Sequence, residues 1–241
     1  MNDNKKLSKD TFNLQATTYD IDKNGAHART LYPHIIDKLS DISFDNVLDV
    51  GCGTGEILNT IKNIYPAVSL YGIDISEEML KKSKEKLLNT AELSLGDAEH
   101  LPYEHGKFDL LMCTDSFHHY PNPQKAMEEF HRVLKTDGHI LLADFWKPFP
   151  VRQLMNIFIP FSNEGDVKVY SKKEIISFLS YSGFQNIEYQ KVNNSSYLVI
   201  AKKQSGKQIP ICRIEAGSSD PAFFMPKTGN SLNPLQIACE T

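Results

Sequence analysis

The glycine-rich stretch at residues 47–55 constrains the fold of this chain more than any other feature. Its apolar first part, 47–50, predicts a buried β-strand, and the strand leads into three alternating glycines, Gly51, Gly53 and Gly55. Residues 56–65 follow at once with apolar side chains at helical spacing. A strand, a glycine-rich turn and a helix in this order bring bare backbone close to a ligand in α/β domains.

The spacing of the glycines indicates the kind of ligand. Dinucleotide-binding loops have the pattern Gly-x-Gly-x-x-Gly, but Glu56 occupies the place of the third glycine here. A carboxylate at that position would repel a pyrophosphate at the N-terminus of the following helix. The loop therefore favours a ligand with a nucleoside and no phosphate.

Strand and helix patterns alternate regularly from residue 45 onward, which predicts a parallel, doubly wound α/β sheet. The predicted organisation is a helical cap at 1–40, a cofactor-binding domain at 41–203 and a flexible tail at 204–241. Residues 1–10 are polar, and we expect them to fray. Residues 146–170 interrupt the alternation and predict an insertion that covers a pocket. Two strands near 184–201, joined by Asn193-Asn194-Ser195, predict an antiparallel hairpin at the sheet edge.

Composition excludes several classes of protein. The formal net charge is −4 and the pI about 6.1, so no global basic field attracts nucleic acid. No apolar run reaches the roughly 18 residues of a membrane span, and the first residues lack a signal-peptide core, so we expect a cytoplasmic protein without a membrane partner. The four cysteines show no metal-ligand spacing, so the sequence predicts no metal site. The oligomeric state cannot be read from the sequence.

Acidic residues follow two further predicted strands. Asp74 ends the second strand, where a carboxylate can accept both hydroxyls of a ribose. Asp97 ends the third strand, where it can hold an exocyclic amine such as that of adenine. Ligands of open α/β sheets bind at the carboxyl ends of the strands. Together with the glycine loop, these positions describe an adenosine that carries a charged amino-acid tail.

Five segments resemble the motifs of class I S-adenosylmethionine-dependent methyltransferases, and within them the branch of ubiquinone/menaquinone-biosynthesis C-methyltransferases. They are Val-Leu-Asp-Val-Gly-Cys-Gly-Thr-Gly (47–55), Gly-Ile-Asp-Ile-Ser (72–76), Gly-Asp-Ala-Glu-His-Leu-Pro (96–102), Phe-Asp-Leu-Leu (108–111) and Arg-Val-Leu-Lys-x-Asp-Gly (132–138). The N-terminal Phe12-x-x-x-Ala16-x-x-Tyr19-Asp20 also matches that branch. The resemblance implies a Rossmann-like, seven-stranded sheet in the order 3-2-1-4-5-7-6 with strand 7 antiparallel, and S-adenosyl-L-methionine as cofactor.

The resemblance also implies a role for each matching position. It places the methionine and ribose portion over Gly51, Gly53 and Gly55, with Asp49 steadying the loop and reaching the amino group through water. Asp74 would bind the ribose hydroxyls and Ile75 would lie against the adenine. Asp97 would accept the adenine amine, and Ala98 would donate its N–H to a ring nitrogen. The two remaining residues, Thr114 and Tyr19, would face and close over the methionine end.

His118 and His119 are the only clustered histidines and thus the candidates for a catalytic base, although a role in the pocket wall is the alternative. The insertion carries four aromatic residues, Trp146, Phe149, Phe158 and Phe161, which favour an apolar or aromatic small-molecule acceptor. The reaction implied is in-line displacement at the sulfonium methyl.

Three other functions stay open at this point. A nicotinamide-dependent dehydrogenase shares the alternation but requires the missing third glycine. A domain of this fold can methylate RNA or protein instead of a small molecule. A third alternative is a domain that binds the cofactor without catalysis.

Overall fold

Seven strands form one mixed sheet in the order β3-β2-β1-β4-β5-β7-β6. The computed structural model describes residues 3–162 and 165–204. The strands are β1 (Asn46–Val50), β2 (Ser69–Asp74), β3 (Ala91–Leu95), β4 (Phe108–Thr114), β5 (Leu134–Phe145), β6 (Phe184–Lys191) and β7 (Ser196–Lys203). Strand β7 is antiparallel to both β5 and β6, whereas β1 to β5 pair in parallel. The predicted sheet order and the predicted antiparallel strand 7 are confirmed.

Seven α-helices of the described residues accompany the sheet: α1 (Asp3–Gln15), α2 (Ala26–Leu39), α3 (Glu56–Ile64), α4 (Glu77–Leu87), α5 (Pro123–Val133), α6 (Val151–Phe158) and α7 (Lys172–Tyr181). Two of them begin as their sequences predict. The Ser76 side chain accepts a hydrogen bond from the N–H of Met79 at the start of α4, and Ser171 and Glu174 form a capping box at the start of α7. No helix in the described ranges is long and apolar enough to cross a membrane.

The core lies on both faces of the sheet. Along β1, Leu48 and Val50 join one cluster of buried side chains and Val47 joins the other. Residues of β4 divide in the same way, with Leu111 on one face and Leu110 on the opposite one. A strand buried on both faces needs apolar side chains at every position, which explains why these segments read as continuous apolar runs.

The N-terminal segment differs from its prediction. Residues 3–10 belong to helix α1 instead of fraying, because this polar helix packs on the carboxyl edge of the sheet. The Ser8 side chain is buried, and the Lys5 ammonium lies 2.7 Å from Asp97 and 2.6 Å from Glu99. Charge pairing over a long sequence separation therefore orders a segment whose own composition predicts fraying.

The end of α5 also differs from its prediction. The sequence predicts a helix to residue 135 and a turn at 137–138, but α5 ends at Val133 and β5 begins at Leu134. Lys203 Nζ donates to the carbonyl oxygens of His131 and Leu134, each at 2.7 Å. These bonds satisfy carbonyls at the helix end, so a further helical turn is not needed.

The predicted division at 1–40, 41–203 and 204–241 stays a prediction. All but the first of the predicted tail residues lie outside the described residues.

Candidate active site

The glycine loop leaves β1 with every glycine at positive φ, between 51° and 75°. The N–H of Gly51 donates to the carbonyl of Ile73 at 2.8 Å, and the N–H of Gly53 donates to Asp74 Oδ2 at 2.8 Å. A Cβ added at Gly53 would meet no atom within 4 Å. Gly53 thus presents bare backbone to open space, as a loop that supports a ligand does.

Gly55 has a different environment. It is the N-cap of α3, and a Cβ there would lie 2.3 Å from Ser83 Oγ on α4. Gly55 does not line the cavity above the loop. Packing of α3 against α4 requires a residue without a Cβ at position 55. This geometry does not support the predicted direct contact of Gly55 with the ligand.

A cavity opens above the glycine loop at the carboxyl edge of the sheet. Nine of the ten predicted cofactor-binding residues line this cofactor cavity: Tyr19, Asp49, Gly51, Gly53, Asp74, Ile75, Asp97, Ala98 and Thr114. They come from four strand ends and from the segment between α1 and α2. Brought together by topology alone, these positions form one continuous surface around a single ligand-sized space.

Three buried polar atoms in this wall have no hydrogen-bond partner among the described residues. They are Asp49 Oδ1, Thr114 Oγ1 and His119 Nδ1. Asp49 is 1% exposed, and burial, reinforced by the neighbouring carboxylate of Asp74, raises the pKa of its carboxyl to about 8. Unsatisfied buried polar atoms are costly. A ligand with a cationic group near Asp49 would relieve that cost.

Helix α1 closes the end of the cofactor cavity that Asp97 borders. Asp97 Oδ2 accepts a hydrogen bond from the Lys5 ammonium, and Asp97 Oδ1 accepts one from the N–H of Glu99. Lys5 lines the cavity. The predicted amine acceptor is therefore already paired with a lysine, and no pattern in the sequence predicts a lysine there.

Helix α1 is also attached to the insertion at 146–170. Ser8 Oγ donates to the carbonyl of Gly165 at 3.1 Å. A Cβ at Gly165 would lie 2.3 Å from Ser8 Oγ and 2.5 Å from the Ser8 nitrogen. The two segments that cover the site thus hold each other at one close contact.

We expect Gly165→Ala to release α1. The added methyl must displace Ser8, so amide hydrogen exchange in residues 3–15 should accelerate at least about tenfold, as for a locally opening helix. Gly106→Ala is the matched control, because Gly106 has a similar φ of 67° but would place its Cβ no closer than 3.9 Å to any atom. Equal exchange in α1 for wild type and Gly165→Ala would contradict the close contact.

A second cavity adjoins the first and is termed the acceptor cavity below. Four side chains line both, and form the boundary between them: Phe12, Tyr19, Asp115 and His119. Met155, Ile159 and Val169 from the insertion contribute apolar wall, and His27, His118 and Asp166 contribute polar wall. A molecule in the acceptor cavity would lie next to one in the cofactor cavity.

Charge pairs organise the polar wall. His27 Nδ1 lies 2.5 Å from Asp115 Oδ1, and His118 Nδ1 lies 2.6 Å from Asp144 Oδ1. Asp166 Oδ1 lies 3.6 Å from His118 Nε2 and 3.2 Å from His119 Nδ1. The ring nitrogens of His118 and His119 and a carboxylate oxygen of Asp166 are all within 4.8 Å of one another, which is close enough to hold a metal ion. The expectation of no metal site rested on the cysteines and did not consider these three residues. Pairing of an imidazolium with carboxylates is sufficient to hold them there.

The two predicted catalytic histidines differ in protonation. Burial alone would lower the pKa of His118, but Asp144 and the other carboxylates raise it to about 10. Burial and the neighbouring His118 charge lower the pKa of His119 instead. His118 is therefore a paired cation at neutral pH, whereas His119 is neutral and can accept a proton.

The aromatic residues behind the predicted acceptor class do not line either cavity. Phe149, Phe158 and Phe161 are 72%, 61% and 81% exposed. The ring of Trp146 lies beneath the Lys191 ammonium, 3.4 Å from it. The preference for an apolar or aromatic acceptor stays a prediction, but the four aromatic residues on which it rested do not support it.

Comparison with known proteins identifies the domain that carries this site. Residues 48–142, which carry the glycine loop and the ends of β2, β3 and β4, match the family model described as a methyltransferase domain. These residues are a methyltransferase domain of the class I, S-adenosylmethionine-dependent type. The resemblance of the five motifs is thereby confirmed, and S-adenosylmethionine is the cofactor of this family.

Individual relatives of this methyltransferase are distant. It is 28% identical over 150 residues to a malonyl-[acyl-carrier protein] O-methyltransferase of Geobacter sulfurreducens, covering 59% of this chain and 56% of that one. It is 29% identical over 187 residues to a ubiquinone/menaquinone biosynthesis C-methyltransferase of Campylobacter jejuni, covering 65% of this chain and 78% of that one. The chain spans about half the length of the first curated relatives it matches.

The fold of the methyltransferase has solved counterparts. The YcgJ protein of Bacillus subtilis superposes with a TM-score of 0.63 at 20% identity, covering 74% of this chain and all of that one. This likeness supports the sheet order described above.

Sequence reasoning missed several residues of the site, including Lys5, His27 and Asp166. None of them follows a predicted strand end or belongs to a motif. His27 and Asp166 come to the acceptor cavity only because α2 and the insertion pack over the sheet edge. Their neighbours in the sequence give no signal that would have indicated them.

Proposed function

We propose that this protein transfers a methyl group from S-adenosylmethionine to a small molecule held in the acceptor cavity. The observation that carries the proposal is the pair of adjoining cavities, one built on the glycine loop and one on the insertion. When bound, S-adenosylmethionine supplies an activated methyl group, which a nucleophile can attack in line with the departing sulfur. The protein then needs to align the partners and exclude water, which can contribute about 7–11 kcal/mol.

The residues present fit this cofactor. Gly53 offers open space for it, and the unpartnered Asp49 carboxylate suits its ammonium. Asp74 would hold the ribose hydroxyls, with Ile75 against the adenine. Asp97 would accept a hydrogen bond from the adenine amine once the Lys5 ammonium shares the Asp97 carboxylate or moves away from it. Ala98 would donate its N–H to a ring nitrogen.

The remaining assigned residues would hold the methionine end of the cofactor or act on the acceptor. Thr114 and Tyr19 would enclose the methionine end, and Gly51 would support it. His119 would accept a proton from an oxygen, nitrogen or carbon nucleophile, because it is neutral and borders both cavities. We assign His118 to positioning, since its proton is held by Asp144.

Calorimetric titration tests the cofactor assignment directly. We expect S-adenosylmethionine and S-adenosylhomocysteine each to bind with a dissociation constant on the order of micromolar, near −8 kcal/mol. NAD⁺ should give no heat, because Glu56 opposes its pyrophosphate. Failure of both sulfur compounds to bind, or tighter binding of NAD⁺, would contradict the proposal.

A second assay separates the acceptor classes. The protein is incubated with S-adenosylmethionine and either the small-molecule or the macromolecular fraction of a cell extract, and S-adenosylhomocysteine formation is measured. Product with the small-molecule fraction supports the proposal. Product only with the macromolecular fraction favours methylation of RNA or protein, and binding without product in either favours a non-catalytic domain.

A further inference from the structure

Helix α6 and the turn after it carry an apolar surface that faces solvent. Twelve large hydrophobic side chains among the described residues are exposed, and six of them fall within residues 149–161. We call these six the outer face: Phe149, Val151, Leu154, Ile157, Phe158 and Phe161. Their exposed fractions run from 46% to 81%. Four of them repeat at the three- and four-residue spacing of one helix side, so they form a continuous ridge.

The opposite side of the same helix fixes its rotation. Met155 and Ile159 line the acceptor cavity. Asn156 exchanges two hydrogen bonds with the backbone of Val169, at 3.1 and 2.9 Å. Arg152 donates to the carbonyl of Lys147 at 3.3 Å. These polar contacts hold the inner side of α6 against the protein, so the outer face points to solvent. An amphipathic surface helix usually has the opposite orientation, with its apolar side against the protein.

The charges in the segment that carries the outer face have one sign. Between residues 145 and 162 the sequence contains two charged side chains, Lys147 and Arg152, and no aspartate or glutamate. The whole chain has a formal net charge of −4, so this basic character is local. Leucine and phenylalanine on one side of a helix with lysine or arginine on the polar side is the pattern of helices that lie in the surface of an anionic bilayer.

We propose that the outer face inserts into the surface of an anionic lipid bilayer, so that the protein lies on a membrane without crossing it. A projecting ridge suits a deformable lipid surface, whereas a rigid protein partner would have to supply a matching groove. A second copy packed symmetrically on the ridge would bring the cations of both segments together without a carboxylate from 145–162 to pair them. The proposal departs from the sequence-based expectation of no membrane partner. That expectation rested on the absence of a spanning segment and of a global basic field, whereas the basic character of this segment is local.

Vesicle flotation of the full chain tests the proposal. We expect wild type to float with vesicles of equal parts phosphatidylglycerol and phosphatidylcholine, and less with phosphatidylcholine alone or at high salt. The triple variant Leu154→Ser, Phe158→Ser, Phe161→Ser should lose at least about tenfold in partitioning, since each change removes apolar area from the inserted side. These three positions are exposed, so unfolding monitored by circular dichroism should be unchanged.

A matched control removes the same number of exposed apolar side chains elsewhere. The triple variant Ile64→Ser, Leu88→Ser, Leu95→Ser changes residues that are 48%, 76% and 53% exposed, at the ends of α3, α4 and β3. It should float like wild type. Wild type that fails to float, equal loss in the control, or a wild-type dimer that the outer-face variant converts to monomer would each overturn the proposal. Flotation is measured without cofactor or acceptor, so its failure is distinct from failure of methyl transfer.

Discussion

Asp74→Asn should weaken binding of S-adenosylhomocysteine by at least about a hundredfold, or roughly 2.7 kcal/mol. Asp74 Oδ2 accepts the N–H of Gly53 and Asp74 Oδ1 accepts the N–H of Ser76, both at 2.8 Å. The amide replaces one acceptor oxygen by a donor, which must then face a backbone N–H. Hydrogen bonds to a charged group contribute about 1.5–3 kcal/mol each, and the ribose hydroxyls would lose an acceptor as well.

Calorimetry on the purified variant gives the affinity, and urea unfolding shows whether the fold persists. Asp41→Asn is the control, because it removes the same charge from a side chain that is 71% exposed. The control should bind like wild type. An Asp74→Asn protein that is folded and binds within threefold of wild type would remove Asp74 from the proposed cofactor site.

Local patterns explain why so much of the cofactor cavity could be predicted. A parallel strand buried on both faces is largely apolar, so Val47, Leu48 and Val50 indicate β1 although Asp49 lies among them. The residues directly after such strands share one edge of the sheet, and this places Asp74 and Asp97 beside the glycine loop without knowledge of any contact. Gly53 was predictable for the same reason, since a ligand that approaches the backbone excludes a Cβ there.

Long-range packing explains what could not be predicted. Lys5 is one of several lysines in a polar segment, and its pairing with Asp97 depends on where α1 docks. Asp166 reaches His119 only because the insertion folds back over the sheet edge. Gly55 is the opposite case, because its place in the motif predicts contact with the ligand whereas the group that lies against it is Ser83 of α4. The position of a residue in the motif specifies its backbone conformation, but it does not specify which group packs against it.

The aromatic residues of the insertion show a third limit. The sequence predicts that Phe158 and Phe161 line a pocket, because the insertion that carries them is expected to cover it. The helix that carries them has apolar residues on both sides, Met155 and Ile159 inward and the outer face outward. Periodicity alone cannot decide which side faces the protein. Hydrogen bonds from Asn156 decide it here.

The Asp49 carboxyl should lower the free energy of unfolding of the cofactor-free protein as the pH rises from about 5 to about 8, by up to about 1.4 kcal/mol for each pH unit. Burial, with Asp74 adding repulsion, raises the pKa of folded Asp49 to about 8, whereas the unfolded carboxyl has its ordinary pKa. Between those values the folded state holds a proton that the unfolded state releases. Deprotonation of Asp49 therefore favours unfolding across that range, and its contribution should level off above about pH 8.

Asp49→Asn isolates this contribution. His118 also has a raised pKa, to about 10, so it lowers stability as the pH rises above its unfolded value. Burial lowers the pKa of His119 and His131, so these two raise stability as the pH rises towards their unfolded value. The wild-type curve contains all of these groups. The amide cannot ionise, so urea unfolding of the variant should show a shallower pH dependence, and the difference between the two curves belongs to Asp49. Parallel curves would contradict a raised Asp49 pKa. Saturating S-adenosylhomocysteine should flatten the wild-type curve, because an ammonium near Asp49 stabilises its carboxylate and lowers its pKa.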